Sequence, residues 1–135
     1  MGKHKAFPIG LDNFYDIRSN DFCYIDKTYL IQRLLDTKAR AMLFTRPRRF
    51  GKSLALNMLR RFFDCNEKEL NRPLFEGLAV SQSERYMAEQ GKYPVIFLDL
   101  KTVKASTLEQ LEKLLYSVVF KSLVPFDYLL QSNKF

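Results

Sequence analysis

Residues 41–63 read AMLFTRPRRFGKSLALNMLRRFF, and the fold class turns on them. Ala41–Thr45 is a short, continuous apolar run, the pattern expected of a strand covered on both faces. From Lys52 onward the spacing changes. Leu56, Leu59, Phe62 and Phe63 form one stripe, so a helix is expected over Lys52–Asp64. Arg60 and Arg61 fall near its C-terminal end, where the helix dipole favours cations. Between strand and helix stands RPRRFGKS, residues 46–53. Its GKS end matches half of the pattern G-x-x-x-x-G-K-S/T, a loop whose backbone N–H groups hold phosphate at a helix N-terminus. Position 46, where the first glycine would fall, is Arg. GKS is weak by itself; the apolar run before it and the amphipathic helix after it give it weight.

Each retained residue has a physical task. Gly51 lets the backbone approach phosphate with no Cβ in the way. Lys52 would set an ammonium between the β- and γ-phosphates, and Ser53 would offer its hydroxyl to Mg²⁺. Arg48 and Arg49 would add charge-assisted bonds to the phosphates or neutralise the leaving group, with Phe50 in the same turn. Pro47 removes one N–H and biases Arg46 toward extended backbone, so the phosphate nest rests on residues 48–53. The competing reading is a plain strand-to-helix turn, with Ser53 as a cap and the arginines solvated.

Working outward, a short helical turn is expected near Asp12–Ile17, and Phe22–Asp26 (FCYID) alternates like a short strand. Thr28 suits an N-cap before a helix over Tyr29–Asp36, with Leu30, Ile31, Leu34 and Leu35 on one side. Cys65–Pro73 reads as a loop, Leu74–Ala79 as a docking segment, and Ser81–Gln90 as helical with Gly91 at its C-cap. Pro94 opens Val95–Leu100 (VIFLDL), a second buried strand. Ser106 and Glu109 form a capping box for the helix that follows, which Pro125 should end near Leu123. The rhythm predicts an α/β protein with a mainly parallel sheet flanked by helices, a partial P-loop NTPase fold. Two buried strands and one short one are few for such a sheet, so residues 1–135 are expected to be the N-terminal part of a longer, truncated domain.

Composition narrows the classes. With 135 residues, 47% hydrophobic content and 12 Phe, the chain can build a core. No stretch approaches the roughly 20 apolar residues needed to cross a bilayer. The opening MGKHKAFPIG has no apolar run of a secretory signal, so a cytoplasmic location is expected. Cys23, Cys65 and His4 are too few and scattered for a disulfide framework or a zinc site. The net charge of +7 is local: eight basic residues and no acidic one lie between Lys38 and Arg61, and subtracting those eight leaves −1 for the rest. Such a cluster attracts phosphate, on a nucleotide or on a nucleic-acid backbone, and charge alone does not choose between them.

Several segments together resemble the bacterial and archaeal AAA-ATPase-like proteins that often carry a PD-(D/E)xK nuclease-like domain downstream. They are Pro8-Ile9-Gly10 with Asp12 and Phe14, Tyr24-Ile25-Asp26-Lys27-Thr28, Thr45 through Ser53, Pro73-Leu74-Phe75, and Tyr93-Pro94-Val95-Ile96. The resemblance runs from Phe7 to about Leu115, and Arg46 in place of glycine is usual in that family. It implies an ATP-binding fold of the P-loop class, with Lys52 and Ser53 on triphosphate and Mg²⁺ and with Tyr24–Thr28 near the nucleotide on the base side. For Asp26, Lys27 and Thr28 a helix cap with a local ion pair is an equal alternative. The family's later acidic strand has no counterpart after Leu100; Asp99, at the end of VIFLDL, is the one candidate for that catalytic role. The resulting expectation is an ATP-binding module, part of an ATPase, with little or no turnover by itself. Alternatives are a nucleic-acid-binding module using residues 38–61, and a non-catalytic remnant acting through protein contacts or as a homo-oligomer, with Phe126, Tyr128 and Phe135 in the contact.

Overall fold

The computed structural model describes residues 4–45 and 51–131. Helix α1 (Phe14–Ser19) starts where the Asn13 carboxamide accepts the Tyr15 N–H at 3.0 Å, and it buries Phe14 and Ile17. Helix α2 (Tyr29–Thr37) stops at Lys38, whose φ of 51° is left-handed and cannot continue a helix. Helix α3 (Lys52–Phe63) begins at Gly51 and buries Met58, Leu59 and Phe62. Short α4 (Lys68–Asn71) runs into a 3₁₀ turn, Arg72–Phe75, where Pro73 near the start needs no N–H partner. A second 3₁₀ turn, Ala79–Gln82, leads to α5 (Glu84–Met87).

These elements belong to a unit spanning residues 1–93, whose core is aromatic. Phe75 lies 5.0 Å from Phe14 and 5.1 Å from Phe62, ring centre to ring centre, and all three are fully buried. Each such side chain contributes about 1.5–3 kcal/mol through burial. Ile31, Met58 and Val80 belong to the same cluster, with Leu59, Leu74 and Leu78. Polar bonds fix the packing. Asn57 on α3 accepts the Phe14 N–H at 2.8 Å, and the Arg18 guanidinium donates to the Leu74 and Glu76 carbonyls, each at 2.7 Å. Helix α1 therefore fastens α3 to the Arg72–Phe75 turn.

A second unit, residues 94–135, contains an extended stretch, α6 (Leu108–Leu123), a 3₁₀ turn at Val124–Phe126 and α7 (Asp127–Gln131). Helix α6 ends at Leu123, as Pro125 led one to expect. Its cap is Thr107, which accepts the Gln110 N–H at 3.3 Å, one residue after the Ser106 expected from the sequence.

The expected α/β class is overturned: among the described residues there is no strand and no sheet, and the elements are helical. Ala41–Thr45, Phe22–Asp26 and Val95–Leu100 are not helical, and no ladder pairs them. A strand of a parallel sheet is buried on both faces by neighbours. Leu43 is instead 86% exposed, and Ile96, Leu98 and Leu100 are about half exposed. The only β-type pairing described is a single parallel bridge between Asp64 and Tyr93, where the chain returns to the end of α3. Residues 65–73, expected to be a loop, contain α4 because Arg61 of α3 reaches across to Glu67 and Asn71 and holds the segment in place.

Candidate functional site

The site grows from the start of α3. Gly51 has φ 75° and ψ 23°, a left-handed conformation that L side chains rarely adopt, and its carbonyl accepts the Ala55 N–H at 2.9 Å to open the helix. Glycine offers no side-chain cap, and no acidic residue stands in the first turn. The positive end of the dipole is thus left without a carboxylate of its own helix.

Beside this helix end lies a pocket of about 400 Å³, walled by α2, by residues 42–45 and by the first turns of α3. Leu30, Phe44 and Leu59 supply apolar wall, while Lys27, Arg33 and Lys52 bring three cationic side chains to it. No carboxylate lines it among the described residues. Its size falls within the range of about 300–1,000 Å³ typical of small-molecule sites.

Lys27 reaches the helix end from the connection before α2. Its Nζ lies 3.0 Å from the point where a Cβ on Gly51 would stand. The flanking residues are fastened. Asp26 Oδ1 accepts the Thr28 hydroxyl at 2.6 Å and the Thr28 N–H at 2.8 Å, and its Oδ2 accepts the Ala79 N–H at 2.7 Å. The Thr28 oxygen in turn accepts the Val80 N–H at 3.2 Å. Burial pushes the Asp26 carboxyl up, but hydrogen bonds from Thr28 and Ala79, with the Arg18 guanidinium nearby, outweigh it and hold the group below the usual carboxylate range. Thr28 occupies the N-cap position of α2 but makes no capping bond; its hydroxyl serves this clasp instead. Burial likewise pushes the neighbouring Tyr24 phenol up to about 12, so it stays neutral at physiological pH.

The sequence-derived residues divide. Gly51 and Lys52 line the pocket. Ser53 is exposed in the first turn of α3 and is not among the lining residues. Arg48, Arg49 and Phe50 lie outside the described residues. Asp99 belongs to the second unit, where its carboxylate accepts the Lys101 N–H at 2.9 Å in a local turn, not at a strand end. Sequence reasoning missed Tyr29, Arg33 and Thr37, which line the pocket from α2. Their spacing of four residues, placing them on one helix face, was the available signal.

Fold and site together define a helical unit with a cationic pocket at a helix N-terminus. The chain belongs to the AAA-ATPase-like family: the family model described as "Predicted AAA-ATPase" matches residues 8–133. It is also similar to a protein of Azotobacter chroococcum mcd 1 named "Uncharacterized protein in vnfD 5'region", with 44% identity over 77 residues. That match covers 56% of this chain and only 14% of the relative's own length. No solved structure matches. No described helix is long and apolar enough to cross a membrane.

Proposed function

We propose that the chain binds ATP, or another nucleoside triphosphate, with its phosphates at the N-terminus of α3. The supporting observation is the pocket itself: about 400 Å³, three cationic side chains and no carboxylate among the described lining residues. Such a pocket favours a polyanion with an apolar portion. Membership of the AAA-ATPase-like family agrees with this choice of ligand.

Two features of this geometry support a triphosphate as the ligand. At Gly51 a Cβ would take up the space beside the Lys27 ammonium, so the glycine keeps open an approach to backbone N–H groups. Lys52 would contact the phosphates, with Arg48 and Arg49 of the modified GKS loop assisting. For Mg²⁺, no group of three or more His, Cys, Asp or Glu side chains that could hold a metal occurs among the described residues. The ion would arrive on phosphate oxygens, with Ser53 as its protein hydroxyl, and would offset phosphate charge there. The reading covers binding, with little or no turnover.

The test is titration of a fluorescent ATP analogue into the protein and into Lys52→Ala. A charge-assisted contact contributes about 1.5–3 kcal/mol, so the variant should bind roughly 10- to 150-fold more weakly. Equal affinity in the two proteins would remove the proposal. Nucleic-acid binding that falls steeply with salt and ignores ATP would favour the basic cluster at residues 38–61 as a nucleic-acid surface instead.

A further inference from the structure

We infer that Lys27 is a second phosphate-binding ammonium of this pocket, delivered from the connection before α2 and pre-set by the bonds of Asp26 and Thr28 to the Ala79–Val80 backbone. The inference rests on the nucleotide reading above and adds a residue outside the GKS loop.

Geometry supplies the first argument. The Lys27 ammonium stands over Gly51, 3.0 Å from its Cβ position, and both residues line the pocket with Lys52. Two ammonium-bearing side chains thus serve one helix end from different parts of the chain. An anion placed between the ammonium and the positive end of the helix dipole is favoured by both. A triphosphate, with charge spread along three phosphate groups, can engage both lysines at once.

Preorganisation supplies the second. The residues on either side of Lys27 are held by hydrogen bonds of 2.7 Å and 3.2 Å to the Ala79 and Val80 N–H groups. Thr28 is fully buried, and Val80 belongs to the core cluster. The Lys27 backbone is therefore anchored to the core, and ligand binding need not order it. A flexible lysine would surrender more conformational entropy on binding.

The experiment displaces a bound fluorescent ATP analogue with inorganic tripolyphosphate, or with millimolar adenosine, from the wild type, Lys27→Met, Lys27→Arg and Lys52→Ala. Lys27→Met should weaken competition by tripolyphosphate at least tenfold and leave competition by adenosine within twofold. Lys27→Arg should recover most of the loss. If Lys27→Met melts early by circular dichroism, Lys27→Gln is measured in its place with the same expectation. Tripolyphosphate competition unchanged in Lys27→Met while Lys52→Ala loses binding would overturn the role of Lys27 and leave the nucleotide reading intact. Equal losses for tripolyphosphate and adenosine would also overturn it, since they would show a structural contribution. Failure of the wild type to bind the analogue, or full binding by Lys52→Ala, would overturn both.

Discussion

Substituting Gly51 by alanine probes the helix start and the Lys27 approach together, and Gly77 provides a matched control. The two glycines have nearly identical φ values, 75° and 76°. Holding an alanine in the left-handed region costs about 1–2 kcal/mol, so both variants should lose stability by that amount. Their surroundings differ. A Cβ at Gly77 meets nothing within 4 Å, whereas one at Gly51 meets Lys27 Nζ at 3.0 Å. Because that neighbour is the far end of a flexible side chain, it can shift by a few tenths of an ångström, and the added steric cost is small. Urea unfolding followed by the helical circular-dichroism signal should therefore place both midpoints lower. With a slope of about 2 kcal/mol per molar, the shift is roughly 0.5–1 M. Only Gly51→Ala should also weaken binding of a fluorescent ATP analogue. A Gly51→Ala protein as stable as the wild type would refute the left-handed helix start. Equal weakening of nucleotide binding in the Gly77 variant would refute the special place given to Gly51.

Thr28→Val keeps the side-chain shape but removes the oxygen that accepts the Val80 N–H and donates to Asp26. With Thr28 fully buried, the stranded N–H should cost about 1–3 kcal/mol, read from the same urea curves. Asp26 should make stability fall in acid. Its folded pKa is lowered from 3.8, so its contribution is present above that value and disappears as pH falls through the lower, folded-state pKa. Melting temperatures recorded against pH should fall less steeply in this range for Asp26→Asn; parallel curves for the two proteins would contradict the clasp.

The three longest helices, α2, α3 and α6, were legible because their signals are local. The bounds of α2 and α3 and the stop before Pro125 need no knowledge of distant contacts, and each matches the structure within a residue or two; of the expected α3 stripe, Leu56 is exposed and Met58 is buried in its stead. The strands failed because a continuous apolar run fixes composition, not pairing. AMLFT and VIFLDL suit a buried strand, but whether neighbours cover them is decided by long-range contacts, and here Leu43 and Ile96 face solvent. The site shows the same division. Gly51 and Lys52 were readable from GKS, since a helix N-terminus needs only a local change of spacing. Tyr29, Arg33 and Thr37 were not: reading α2 by its apolar stripe assigns its other face to water, and only the placement of residues 42–45 and α3 turns that face into a wall.

The most direct test follows the backbone amides of Gly51, Lys52 and Ser53 by nuclear magnetic resonance in ¹⁵N-labelled protein as a non-hydrolysable ATP analogue is added. Hydrogen bonding of these groups to phosphate predicts saturable downfield shifts at these positions, absent when adenosine replaces the analogue. Resonances at positions 51–53 that stay fixed while the analogue binds elsewhere, or does not bind, would contradict a phosphate site at the head of α3.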